Sequence, residues 1–553
     1  MGQPLRSAVF CLLTGVLLAV PVEASAAAPA VDLISRTATA LGNDRSFAPE
    51  FSSDGRFVVF GSAATNLVPG DTNGQADVFV KDRRTGTISR VNTAAGGAQA
   101  NRFAESATIS GDGRYVAFDS PATNLVPGDT NNTFDVFVKD LHTGAVVRAN
   151  TTASGGQTDD AQYPRLSGNG RHVTFSSPAA NLVPGDTNGA VDGFVKNLDT
   201  GAVKRITTRS NGSQVAQPGA LDFRPSADAR VAAFHSSASY LVPGDTNGVS
   251  DVFVKNLDTG AVIRVTGSAG QFDGGAYRPS ISTDGRYVAF DSTATNAAPG
   301  DANGESDVFR KDLATGAVVR VTDGNAASAG AAISAGGRHI AFESAASNLV
   351  AGDTGGFADV FVEDVATGVV TALSVPGDGE SYSAAISANG RVAGFESGAA
   401  NLVPGDDNAT FDVFVHAFPG ADADPYADAI GPGTNAVVLN GSTALGAPDG
   451  QLATVVGLLG GRIVLDLGAG EEGIGNLVIH YGGLNVGVAT TVDLLDANSA
   501  VVGSAPVRLV QLGVGTHTAV VPHAGAPYRY VRVNAGVLQT IDLDAVQASW
   551  SLG

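Results

Sequence analysis

One unit recurs seven times along this chain, and its central stretch never gains or loses a residue. Arg56, Arg114, Arg171, Arg230, Arg286, Arg338 and Arg391 each close a turn of the "DGR" type. Four residues later stand Phe60, Phe118, Phe175, Phe234, Phe290, Phe342 and Phe395. Each copy then runs through an acidic loop, such as "NLVPGDTNG" at Asn66–Gly74, into a run such as "DVFVKD". Length varies only between copies. A unit that recurs every 52–59 residues means that one supersecondary unit is stacked against copies of itself.

The unit is β. "RYVAFDS" (Arg114–Ser120) and "DVFVKDL" (Asp135–Leu141) are short Val- and Phe-rich runs bounded by turn residues. The Asp-Gly turns suit tight hairpins, because they tolerate positive φ. "DLHTG" and "NLDTG" mark a second hairpin. Each copy therefore predicts four strands: A before the DG turn, B after it, C after the acidic loop and D after the TG turn. No segment carries a helical apolar stripe.

Four-stranded units in series predict an all-β fold, a seven-bladed β-propeller over 31–418. The seventh copy stops after strand C, at "DVFVHAF" (Asp412–Phe418). An orphan segment, "VDLISRTA" (Val31–Ala38), resembles the missing strand D. Lending it to the last blade closes the ring and removes two open edges.

The repeat resembles the WD40-like (PD40) units of TolB-like propellers: an Asp-Gly turn, a strand ending Ala-Phe, an Asp-hydrophobic-aromatic strand and an Asp-x-x-Thr-Gly turn. "ISTDGRYVAFDS" and "SDVFVKNLDTG" follow that order. The departures are the absence of proline from the Asp-Gly turn and a longer, more uniform B–C loop. The resemblance implies the fold and a binding role. It carries no catalytic residue, since fold does not fix function.

The acidic loops are the candidate metal ligands. Their Asp-x-Asn-Gly-x-x-Asp pattern places oxygen donors at alternate positions with glycine at the sharp turn, as calcium loops do. The residues are Asp71, Asn73 and Asp77; Asp129, Asn131 and Asp135; Asp186, Asn188 and Asp192; Asp245, Asn247 and Asp251; and Asp301, Asn303 and Asp307. Two further sets fit less well: Asp353 and Asp359, with Gly355 for the asparagine, and Asp406, Asn408 and Asp412, with Ala409 for the glycine. Each loop lacks two strong ligands of a full calcium shell, because Pro69 and Val80 stand where acids would be needed. Turn chemistry, with Asp and Asn bonding their own backbone, accounts for the pattern more completely. Ca2+ is the one cofactor the sequence suggests.

The net charge of −21 disfavours nucleic acid and anionic membranes as partners. Arg6, the apolar Ala8–Val20 and the small residues Ala24 and Ala26 read as a signal peptide over 1–26. With Cys11 the only cysteine, the exported chain is expected to have no disulfide. No later segment is apolar enough for membrane insertion, which points to a soluble, secreted (extracellular or periplasmic) monomer. No Gly-x-Ser-x-Gly, HExxH, Walker or dinucleotide pattern occurs, so no catalytic residue is assigned.

After a linker (419–425), residues 426–553 read as further short strands, such as "GRIVLDLG" and "YRYVRVN", and predict a β-sandwich. "YADAI…ALGAPDG" (Tyr426–Gly450), with "IVLDLG" and "IDLDAV", resembles galactose-binding-like jelly rolls. That resemblance implies carbohydrate binding and a structural calcium, with Asp428 and Asp449 as the fitting acids. The expected function is recognition of a protein or glycan ligand through the acidic loop rim. The alternative is a carbohydrate-active hydrolase or lyase with its site at the channel mouth.

Overall fold

The computed structural model describes residues 31–418, apart from 217–221, 268–269 and 302, and beyond them ten strands between Ala429 and Ala548. Residues 1–26, read above as a signal peptide, residues 419–425, read as a linker, and Asp428 and Asp449 lie outside the described residues.

Seven four-stranded antiparallel sheets form a seven-bladed propeller. Blade one is typical, with strands A (Ser46–Phe51), B (Phe57–Ser62), C (Asp77–Asp82) and D (Ile88–Arg90) hydrogen-bonded in that order. Blade seven runs Ser381–Ile386, Val392–Ser397, Asp412–Ala417 and then Val31–Leu33, so the N-terminal strand closes the ring. Only three residues of the orphan segment are strand, and Val31 pairs with His416 and Leu33 with Phe414.

The invariant phenylalanines explain the gapless unit. Phe60 on strand B lies opposite Phe79 on strand C. The rings stack 5.9 Å apart, and all seven blades repeat this pair at 5.6–5.9 Å. Inserting one residue between them would turn one ring to the other face of its strand. Neighbouring blades are also tied by lysines. Lys139, Lys196 and Lys255 on strand C donate to Thr93, Thr151 and Thr208 at the strand D exit of the preceding blade, and Lys81 reaches the Ile34 carbonyl across the closure.

The innermost strands share a device that the repeat pattern conceals. Eight residues before each repeat arginine, Ala48, Ser106, Tyr163, Asp222, Arg278, Gly330 and Ser383 all have φ between 46° and 65°. In six of these strands the pairing register slips at this residue. Such a bulge re-aims one side chain per blade.

At the repeat's other rim, Arg56, Arg114, Arg286 and Arg338 pair with Asp82, Asp140, Asp312 and Asp364 at 2.8–3.0 Å, each within its own blade.

The C-terminal strands form two five-stranded antiparallel sheets. In one, Val492 and Leu494 oppose Val533 and Val531 on a buried face. On the other face of that sheet, Asp493 pairs with Arg532 at 2.7 Å.

Candidate functional site

Each acidic loop is woven into its surroundings. The opening asparagine holds the connection that leads into its own blade: Asn66 accepts from the Asn43 N–H and donates to the Leu41 carbonyl. Asn124, Asn296 and Asn401 do the same. The asparagine after the first aspartate holds the next connection, Asn73 donating to the Ala100 carbonyl and Asn131 to that of Thr158. The following residue is left-handed in every copy, Ala409 included at φ 54°.

Both aspartates turn inward. Asp77, Asp135, Asp192, Asp251, Asp307 and Asp412 are fully buried. In blades one to five an arginine at the end of strand D lies between the two carboxylates. Arg90, Arg148, Arg205, Arg264 and Arg320 place Nη1 3.1–3.6 Å from the first and 3.2–3.8 Å from the second. Glutamines add to this in blades one, three and four: Gln99, Gln214 and Gln271 donate to Asp71, Asp186 and Asp245. Burial pushes the carboxyl of Asp77, Asp192, Asp251 and Asp307 upward, and a hydrogen bond from Asn92, Thr207, Thr266 or Thr322 pulls it back. A cation already sits between these five pairs, and it is a guanidinium.

Blades six and seven depart from this. Ala372 and Leu33 occupy the arginine position, each opposite the strand C phenylalanine as Arg90 is. Pro376 and Leu41 occupy the glutamine position, since their carbonyls accept from Asn401 and Asn66 as that of Gln99 does from Asn124. Among the described residues, Asp353 and Asp406 are left with no hydrogen bond or ion pair, although each is only 8% exposed. Burial, with the charges of Asp412, Asp407 and Asp378, pushes the Asp406 carboxyl up to about 6. Among the described residues, no three His, Cys, Asp or Glu side chains converge as a metal cluster.

The second feature is the channel mouth on the same rim. Five residues after each repeat arginine, strand B carries Gly61, Asp119, Ser176, His235, Asp291, Glu343 and Glu396. Asp119, Asp291 and Glu343 meet the left-handed bulge of the next blade. Asp119 accepts from the Tyr163 N–H at 2.9 Å, and Glu343 from the Ser383 N–H at 2.6 Å. Burial raises the Asp119 carboxyl to about 6 against that backbone bond, and it also raises Asp291 and Glu343. Arg278 forks onto Asp291 at 2.9 and 3.1 Å, and Arg45 approaches Glu396 at 3.5 Å. Tyr163, Tyr277 and Tyr382 stand beside this ring, 41%, 42% and 37% exposed.

Deeper on the inner strands, Glu50 of blade one meets Arg165 of blade three and Asp222 and Arg224 of blade four. The contacts are Arg165–Asp222 at 2.7 Å, Arg165–Glu50 at 3.6 Å, Arg224–Asp222 at 3.0 Å and Arg224–Glu50 at 3.4 Å. The two Glu50 pairs join non-adjacent blades and so bridge the channel. Burial alone would raise the Asp222 carboxyl, but Arg165 and Arg224 hold it well below the usual carboxylate range.

The repeat consensus hid both groups, because they occupy positions that differ from copy to copy. The available signal was variability itself: one changing residue between invariant Phe118 and Ser120, and an arginine at the end of strand D missing from "VVTALS".

No protein-family model matches the chain, and no curated protein matches it. Among solved structures it is similar to an oligogalacturonate lyase from Vibrio parahaemolyticus, at 12% identity over 70% of this chain and 93% of that one, TM-score 0.44. It is also similar to TolB from Acinetobacter baumannii, at 16% identity over 66% and 80%, TM-score 0.33. Likeness at this level carries no functional argument. The propeller stands on its own sheet order and register. Among the described residues, no helix is long and apolar enough to cross a membrane.

Proposed function

We propose that this is an exported, non-catalytic binding protein whose propeller recognises a glycan at the channel mouth on the loop rim. One observation carries the reading. Exposed Tyr163, Tyr277 and Tyr382 each stand beside a carboxylate of the mouth ring, namely Asp119, Asp291 and Glu396. Flat aromatic faces with carboxylate acceptors and arginine donors are the chemistry that grips a ring bearing hydroxyls. The loop aspartates are turned inward, so the recognising groups are those of the mouth. Export rests on the N-terminal signal pattern. The galactose-binding-like reading of 426–553 gives the same ligand class a second module.

The second reading is a carbohydrate-active enzyme at the same mouth. Asp119 favours it: a buried carboxyl with its pKa raised to about 6 suits proton transfer near neutral pH. A glycan array with the full-length protein, paired with a reducing-end release assay, decides between them. Binding without turnover that is lost on replacing the three tyrosines supports the binding protein. Turnover replaces it with the enzyme. Binding without turnover that ignores the tyrosines overturns the binding site proposed here, and the absence of both glycan binding and turnover overturns both readings.

A further inference from the structure

We propose that blades six and seven each hold a hard divalent cation, of which calcium is the fitting example, between their two loop aspartates, in the place that an arginine fills in the other five blades. The seven copies of one site inside one chain supply the argument. In blade one, Arg90 is received by three oxygens: Asp71 Oδ1, Asp77 Oδ2 and the Gly70 carbonyl, at 3.2–3.3 Å. Blade seven keeps the corresponding oxygens in Asp406, Asp412 and Gly405, and its loop glycine keeps the left-handed conformation, φ 81° against 75°. What it lacks is the cation. Leu33 and Leu41 replace the arginine and the glutamine, and both replacements are apolar.

Two buried carboxylates facing each other without a positive charge repel strongly in a low dielectric. Asp412 is partly satisfied by Ser35 and Asn408. Asp406 has no hydrogen-bond or ion-pair partner among the described residues, though it is only 8% exposed. Exposed Asp407 and Asp378 add further negative charge beside it. The single positive charge of an arginine on strand D offsets half of such a pair. A free divalent ion restores neutrality with all-oxygen donors, two carboxylates and a carbonyl, and completes its shell with water. Blade six repeats the substitution, with Asp353 beside Asp359 and without a partner among the described residues, and with Ala372 and Pro376 in the arginine and glutamine positions. In blade seven the ion would share Asp412 with Ser35 of the N-terminal strand and so brace the ring closure. A proton held by the pair is the competing answer.

The test is calcium uptake by the full-length protein, by calorimetric titration with calcium chloride, alongside thermal unfolding in calcium and in chelator. Wild type should take up two more calcium ions than the isosteric double variant Asp353→Asn/Asp406→Asn. In chelator that double variant should melt above wild type, because the repulsion is gone. Ala372→Arg, which grafts the sister arrangement onto half-buried Ala372, should lose one ion while keeping the fold. Equal uptake by wild type and the double variant, with the arginine graft also unchanged, overturns the proposal in favour of the proton.

Discussion

Ser35, on the N-terminal segment, donates its hydroxyl to Asp412 of the last blade at 2.5 Å, and its oxygen accepts from the Val413 N–H at 3.0 Å. The two residues are 377 positions apart and both are fully buried. The sister blades fill the Ser35 position with Asn92, Asn150, Thr207, Thr266, Thr322 and Ser374, each donating to the equivalent aspartate. Ring closure thus copies an ordinary blade in its side-chain chemistry as well as its strand order.

Ser35→Ala should lower stability by about 1.5–3 kcal/mol, because it leaves a buried carboxylate and a buried N–H short of a partner. Chemical denaturation of the full-length protein measures this. A loss below about 0.5 kcal/mol would mean that the closure does not depend on this bond.

Arg205→Ala should cost more, about 3–5 kcal/mol, since it strands Asp186 and Asp192 side by side without their cation. Adding Asp186→Asn to the same variant should recover part of that loss. Failure of the second substitution to help would show that the arginine acts by packing and not by charge.

Stability should fall as pH rises from 3.8 to about 6. Asp119 keeps its proton in the native state up to about 6, whereas the unfolded chain releases it near 3.8. The native state binds more protons in that window, so its advantage fades as they leave. Asp364, held at about 2 chiefly by its bond from Arg338, works in the opposite sense and costs stability only as pH falls below 3.8. Asp119→Asn should flatten the upper slope in melts recorded across the window, and an unchanged slope would assign it to another group.

Replacing Tyr163, Tyr277 or Tyr382 with alanine should each weaken glycan binding by about 1 kcal/mol, roughly five-fold in Kd, while shifting the melting midpoint little. All three are substantially exposed, and Tyr277 and Tyr382 each keep one ring contact, with His235 and Phe411. Equal loss of binding and of stability would point to a structural role.

The sequence by itself determined the blade. The spacing from Arg56 to Phe60 to Asp77 and Phe79 dictates two strands whose phenylalanines must meet, because side chains alternate with period two. It also determined the closing strand, because "VDLISRTA" supplies what copy seven lacks. Tertiary structure decided what the repeated acids face. Arg90 and Asp77 are 13 residues apart, on strands that pair only after the hairpin folds. Gln99 arrives from a connection of variable length, and Arg165 meets Glu50 across a channel that exists only when the ring is closed. A repeat consensus averages over copies and so records what every blade needs. Charge balance and binding are settled where the copies differ, by contacts between blades, and those contacts exist only in the assembled ring.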